Sequence, residues 1–375
     1  MRILHLADLH EKLTGPRTDE CRRILDMIPE QAREAKPDVI IVAGDVYDRR
    51  STPEERLYLA SIFSALDDVA PVFAISGNHD DPEDLRLFHE WRPTIRVITE
   101  PTITSYENLN LAFLPWPSLG HLAAAIGPQV SIAERREVAK AALIDVLRGF
   151  KALRLDPPSP SLLVAHMPVT GASMDSGQPV SGGEEIALSA DELLECGAAG
   201  VALGHIHLRQ QMRTGDGRPV WYAGAPFRGS FGEAAGEKGG LLWDWIDGAW
   251  KVTPWDVPAR PMVLVEAQYA DDTFVVSEHD TLKAAEVRLR IEFPADQREA
   301  ARERAEAWKR LAEAADALSV TIEERPISVS RTRCAEIEKA RTIADKLTAW
   351  AWSTAQDIPD GAAVKLGTLE AEVRL

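Results

Sequence analysis

Cysteine is scarce in this chain. The 375 residues include three, Cys21, Cys196 and Cys334, odd in number and far apart. No paired spacing exists, which excludes a disulfide framework and a zinc knuckle and points to a reducing cytoplasm. Long apolar runs are missing too. Nothing approaches the ~20 consecutive apolar residues of a membrane span, so no membrane role is expected. The amino terminus opens on a strand pattern and lacks the three regions of a secretion signal. Positive charge is short: 42 Lys and Arg stand against 59 Asp and Glu, a net charge of −17. That excludes a whole-surface nucleic-acid binder, because phosphate attraction needs a positive field. It leaves room for a nuclease. Two divalent metals and a local arginine cluster hold phosphate on an acidic protein, and a partner subunit can supply the main grip on DNA.

What is present is a set of five short apolar runs, each ending in metal-ligand residues. Arg2 to Ala7 leads into Asp8-Leu9-His10, and Val39 to Ala43 into Gly44-Asp45. Val72 to Ser76 leads into Gly77-Asn78-His79-Asp80, and Leu162 to Ala165 ends at His166. Val201 to Leu203 leads into Gly204-His205-Ile206-His207. Such Val-, Ile- and Leu-rich runs read as buried strands. Open α/β sheets bind ligands at the carboxyl ends of their strands, so the runs predict one shared rim. Leaving His79 and Asp80 aside, it gathers two Asp, one Asn and four His, too many for one metal and about right for two.

The length suggests two or three domains. Residues 1–258 read as one α/β unit. Thr18 or Asp19 is expected to cap a helix to Ala35, with a kink or break at Pro29. Pro53 sits at the first turn of a helix to Asp68, and Ser131 with Glu134 forms a capping box for a helix to Gly149. Asp156 to Pro160 is a stiff connector, and Gly171 to Glu185 a long loop beside the site. Leu241 to Ile246 and Trp250 to Pro254 read as a hairpin turning at Asp247-Gly248. Residues 259–329 read as a small β-α-β piece, with a helix from Asp296 to Leu318 burying Trp308, Leu311, Ala312, Ala315 and Leu318. Residues 330–375 carry a second helical stretch, Thr332 to Thr354. Core packing is the plain explanation of both helices.

Carboxylate, amide oxygen and imidazole together suit manganese, iron or zinc and make pure magnesium coordination a poorer match. Asp45 is the natural shared carboxylate between two metals ~3.5–4 Å apart. Such a pair activates water, binds phosphate oxygens and neutralises the charge of an in-line displacement. His79 follows Asn78 directly, so both cannot easily serve one metal. It is expected to be catalytic, stabilising the transition state or protonating the leaving oxygen. Asp48 is placed as its orienting acid, and Arg49 as a fork donor to phosphate. His5 is read as a core histidine, and His89, His121 and His279 as surface residues.

These motifs, in this order, resemble those of the calcineurin-like metallophosphoesterases. Within that superfamily the chain resembles the SbcD-type nuclease subunits, in Val164 to Ala172, in Tyr222 to Phe231 followed by Lys238-Gly239-Gly240, and loosely in the piece after Pro258. The resemblance implies a four-layer α-β-β-α sandwich with a small α+β capping domain at residues 259–329. It implies one metal on Asp8, His10, Asp45 and His207 and a second on Asp45, Asn78, His166 and His205, manganese before magnesium, iron or zinc, with His79 as the catalytic histidine. It further implies exonuclease and endonuclease activity on DNA, a homodimer and an SbcC-type ATPase partner. The candidate docking segment for that ATPase is Thr332 to Thr354 and the tail. Some members carry a histidine at the position of Asp48, used in choosing DNA ends; here an acid stands there. A stand-alone phosphoesterase for a small substrate is the first alternative. A scaffolding subunit with a decayed site comes last, because no ligand is missing.

Overall fold

The computed structural model describes all residues except 13, 16, 118–130, 153–158, 174–185, 235, 269–281, 328–334, 341, 355, 360, 363 and 367–375. His121, His279, Cys334, most of the loop from Gly171 to Glu185 and most of the connector from Asp156 therefore lie outside the described residues. In chain order the first strands are β1 (Arg2–Leu6), β2 (Val39–Ala43), β3 (Val72–Ile75), β4 (Arg96–Ile98), β5 (Thr102–Tyr106) and β6 (Leu109–Leu114). They are followed by β7 (Ser161–His166), β8 (Val201–Gly204), β9 (Gln210–Met212), β10 (Val220–Tyr222), β11 (Gly239–Ile246) and β12 (Ala249–Asp256). The larger helices of this part are α1 (Thr18–Ala35), α2 (Pro53–Asp67), α3 (Pro82–Trp91) and α4 (Ile132–Ala152).

Two six-stranded sheets result, in the orders β12-β11-β1-β2-β3-β4 and β5-β6-β7-β8-β10-β9. Strands β1 to β4 are mutually parallel, as are β6, β7, β8 and β10. The sheets face each other through Ile3, Ile41 and Phe73 on one side and Leu111, Phe113, Leu162 and Val164 on the other. The outer face of the first sheet packs on Ile24, Leu25, Leu59 and Phe63 of α1 and α2. The outer face of the second packs on Leu143 and Leu147 of α4. Four layers with three apolar interfaces explain why the strands are apolar on both faces, as strands of doubly covered parallel sheets are.

Local rules account for several ends. Thr52 and Glu55 form a reciprocal capping box at α2, with Pro53 in its first turn. Ser131 and Glu134 do the same ahead of α4. Asp247 and Gly248 both have positive φ, 51° and 81°, as the tight turn between β11 and β12 requires. The expected cap fails, and of the kink or break expected at Pro29 no break occurs. Helix α1 runs through Pro29 without a break, held by its buried face of Ile24, Leu25, Ile28 and Ala32. It is preceded by Arg17 in the left-handed region, and neither Thr18 nor Asp19 caps it. The Thr18 hydroxyl donates back to Gly15 instead, while Arg17 is ion-paired with Glu286.

The chain separates into two compact units, one built on Met1–Val265 and the other including Leu289–Lys309 and the chain from Ile322 onward. A three-stranded sheet, β13 (Met262–Gln268), β14 (Glu286–Pro294) and β15 (Ser319–Ile327), has β14 in the middle, one strand more than the sequence suggested. The helix Arg298–Ala314 buries Ala301, Ala305, Trp308 and Ala312, whereas Leu311 and Leu318 are exposed. The last helical stretch is two helices, Ala335–Lys339 and Ile343–Thr354. Thr342 starts the second by accepting from the Asp345 amide, a cap signal that splits the expected single helix. Among the described residues no helix is long and apolar enough to cross a membrane.

His5 is fully buried, and its Nδ1 accepts from the Trp243 indole at 3.4 Å. Burial drives its pKa down to about 3. The unfolded value is about 6.5, so this histidine's contribution to stability is complete above that pH. It is lost as pH falls toward 3, because the unfolded chain takes a proton that the folded chain refuses. His5→Leu should flatten the loss of metal-free stability between pH 6 and pH 5 by about 1 kcal/mol per unit, read by urea titration at each pH. An unchanged slope would contradict this assignment.

Candidate metal centre

The carboxyl ends of β1, β2, β3, β7 and β8 meet at one rim, and two loops there are zipped together. The Asp8 amide donates to Gly44, His10 to Asp45, Glu11 to Val46 and Asp48 back to Glu11, all at 3.0–3.1 Å. Four candidate ligands adopt positive φ: Asp8 at 53°, His10 at 43°, Asp45 at 49° and His205 at 99°. Such backbones cost about 1–3 kcal/mol each and persist only where the surroundings over-determine them. The His205 amide, for example, is held by the Asp8 carboxylate at 2.9 Å. Two glycines make room. A Cβ on Gly77 would lie 2.1 Å from Asp45 Oδ1, and one on Gly44, at φ 88°, 2.3 Å from His166 Nδ1.

The expected ligands fall into two trios, Asp8 with His10 and His207, and Asp45 with His166 and His205, the ligand atoms of each within 4.8 Å of one another. Asp45 Oδ2 lies 3.3 Å from His166 Nε2 and 3.8 Å from His10 Nε2, so it reaches toward both trios. Asn78 Oδ1 sits 3.0 Å from both His166 Nε2 and His205 Nδ1. All seven sequence-predicted ligands therefore converge.

The donors fit divalent cations. His10 Nε2 and His207 Nε2 face each other at 2.9 Å. Two nitrogens at right angles on one ion, with bonds of about 2.1 Å, would be separated by about 3 Å. The chemistry of the set, oxygen and imidazole without thiolate, matches manganese, iron or zinc. Outer partners aim the rings. His166 Nδ1 donates to the Ala43 carbonyl at 2.7 Å, leaving Nε2 for the centre. His207 Nδ1 lies 3.3 Å from Glu233, whose carboxylate is itself 3.3 Å from Lys238. Carboxylate–histidine pairs of this kind fix ring orientation at metal sites.

The arrangement departs from expectation at two residues. His79 is exposed and oriented by Asp48, but through the main chain: its Nδ1 donates to the Asp48 carbonyl at 2.7 Å. The Asp48 carboxylate points elsewhere, 3.7 Å from His10 Nδ1 and 3.5 Å from Lys12 Nζ. The paired loops aim its carbonyl and its side chain in different directions. Arg49 has an acid partner that the sequence did not suggest. It pairs with Glu55 at 3.1 Å, the same carboxylate that caps α2, and an acid already fixed at a helix start is its nearest partner.

Residues with no role assigned from sequence also matter. The Asp80 carboxylate accepts from the amides of Gly77, Tyr47 and Val46 at 2.8, 2.9 and 3.3 Å, tying the second and third loops together. Burial and the charge of Asp45 push its pKa up to about 6. Trp116 sits 5.1 Å from the His205 ring, centre to centre. Only Asp80 had a local signal, its place directly after His79.

Electrostatics differ among the ring nitrogens of the metal-free chain. Burial and the neighbouring His207 hold His10 down at about 3. For His166 burial is outweighed by Asp45 and Asp8, which raise it to about 9. For His207 burial is outweighed by Glu233 and Asp8, which raise it to about 8. At pH 7 the last two rings carry protons that an incoming cation must displace. Manganese uptake at pH 7 should release about two protons per chain, and affinity should climb with pH until it levels near pH 9. Calorimetry in buffers of different ionisation enthalpy measures this. Uptake without proton release would refute the protonated state of these two rings in the metal-free chain.

Three kinds of known protein are similar to this chain. The chain is 30% identical over 254 residues to the SbcD component of the nuclease SbcCD from Bacillus subtilis, a match covering 62% of this chain and 63% of the relative. Among solved structures, TT1561 of Thermus thermophilus matches with TM-score 0.43, 15% identity, and coverage of 68% of this chain and 98% of that one. A dimetal phosphatase from Danio rerio gives TM-score 0.42, 12% identity, and coverage of 66% and 93%. The family model of the calcineurin-like phosphoesterases matches residues 1–209, from the first strand through both histidines of the last motif, and the chain belongs to that family.

Proposed function

We propose that this protein is a manganese-dependent nuclease that hydrolyses DNA phosphodiesters at ends and in repair, working as a homodimer with an SbcC-type ATPase. The observation that carries the two-metal reading is the position of Asp45 Oδ2 between His10 and His166. The DNA reading is supported by the similarity to a nuclease component. In this proposal Asp8, His10, Asp45 and His207 hold one ion, and Asp45, Asn78, His166 and His205 the other. Residues 259–329 contact the DNA, and residues 330–375 dock the ATPase.

When bound, the two ions supply Lewis-acid activation of water and neutralise phosphate charge. The chain's own residues do the rest. Asp45 shares its carboxylate between the two halves. Gly44 and Gly77 keep the floor of the site clear for His166 and Asp45. His79 commits Nδ1 to the Asp48 carbonyl, so Nε2 is the atom left for a leaving oxygen. Its ring lies 5.1 Å from the His10 ring, centre to centre, close enough to act on a group held there. General acid catalysis by a positioned side chain is worth roughly 10²–10⁴ in rate.

The test is cleavage of end-labelled linear duplex DNA with manganese. His79→Ala should lower kcat by about 10²–10⁴. Asp48→Asn should stay within about tenfold of the parent, because the bond that orients His79 is made by the backbone. A wild type that binds two metals and cuts bis(p-nitrophenyl) phosphate but not DNA would move the reading to a small phosphodiester. Equal losses in the two variants would show that His79 is oriented by the acid and not by the carbonyl.

A further inference from the structure

Beside the Asp8–His10–His207 trio lies a recess of about 180 Å³. His10, His207, Lys12, the acids Asp48 and Glu233, and Ser230 are among the residues that line it. It is smaller than the ~300–1,000 Å³ of ordinary ligand pockets. Its size suits a small anion such as one phosphate.

Among the described residues Lys12 is the one lysine or arginine that lines it. The lysine follows directly on the zipped loop, with the Glu11 amide on Val46 and the Asp48 amide on Glu11. Its side chain is 16% exposed. Its partner is Asp48 Oδ2 at 3.5 Å, a long contact to a carboxylate that is 36% exposed. A contact this long to a partly exposed carboxylate is a weak one, so Lys12 can exchange it for a better anion. The other acid, Glu233, is committed to His207 and Lys238.

The position of Lys12 decides which anion. The Asp48 carboxylate stands between it and the centre, with Oδ1 toward His10 at 3.7 Å and Oδ2 toward Lys12. A phosphate reacting at the trios is separated from Lys12 by that carboxylate. A phosphate seated in the recess, which Lys12 lines, meets the lysine directly. We propose that this recess is a subsite for a second, non-reacting phosphate of the substrate, received by Lys12, so that the enzyme favours esters within a phosphate chain over isolated ones. This rests on the phosphodiesterase reading above and adds to it a specificity-determining residue.

The test compares the dinucleotide TpT with pTpT and TpTp, which add one terminal phosphate on either side, and with bis(p-nitrophenyl) phosphate. For the wild type, one of the two phosphorylated forms should have a KM about tenfold below that of TpT, the scale of one charge-assisted contact. Lys12→Met, which keeps most of the stem, should erase that advantage while leaving kcat, TpT and bis(p-nitrophenyl) phosphate unchanged. Lys12→Arg should restore most of it. Equal loss on all substrates, or a wild type indifferent to the added phosphate, would overturn the proposal. Binding of thymidine 3′,5′-bisphosphate and thymidine 5′-monophosphate to the manganese-loaded chain gives a readout independent of turnover. Lys12→Met should weaken the first about tenfold and spare the second, and equal effects on both would sink the subsite. A wild type that hydrolyses none of these diesters but shows this binding difference would refute the phosphodiesterase reading and keep the anion subsite.

Discussion

Everything at the rim depends on the backbone pairing between the loop after β1 and the loop after β2. Four amide–carbonyl bonds lock residues 8–11 onto residues 44–48. They force Asp8, His10 and Asp45 into left-handed backbone and so bring two carboxylates and an imidazole together in the interior. Without this zipper the same side chains would sit on separate, ordinary strand ends. Asp80 extends the lock to the third loop by accepting three amides with one carboxylate. Local backbone cost is thus offset by hydrogen bonds that the strand ends would otherwise lack.

The sandwich supplies the frame for that lock. Parallel strands in both sheets deliver their carboxyl ends to the same edge, and His166 on the second sheet reaches back to the Ala43 carbonyl on the first. The contact ties the two sheets at the point where the trios meet. Burial makes the site electrostatically tense in the metal-free chain: His10 resists a proton, while His166 and His207 attract one from nearby carboxylates. Cations relieve that tension, which couples site chemistry to stability.

Much of this was legible in the sequence because apolar runs end abruptly on Gly, Asp, Asn and His. Strands β1, β2, β3, β7 and β8 and all seven candidate ligands follow from that pattern. What escaped reading was of another kind. Strand β5, Thr102–Tyr106, is half exposed and mixes polar with apolar residues, so it carries no core signal. Glu233 lies 26 residues after the histidine that it steadies, and nothing local links them. The role of Asp48 was misjudged because sequence reports a side chain, whereas the group that touches His79 is a carbonyl that any residue would offer. The pairing of Arg49 with Glu55 escaped reading because that acid was already explained as a helix cap.

The central claim is that Asp45 joins two metal positions into one centre. The direct measurement is manganese bound per chain at saturation, by elemental analysis after gel filtration, for the wild type and for Asp45→Asn, with circular dichroism to confirm that both are folded. The account predicts two ions in the wild type and one or none in the variant. Two ions retained by folded Asp45→Asn, or a single ion in the wild type, would contradict it.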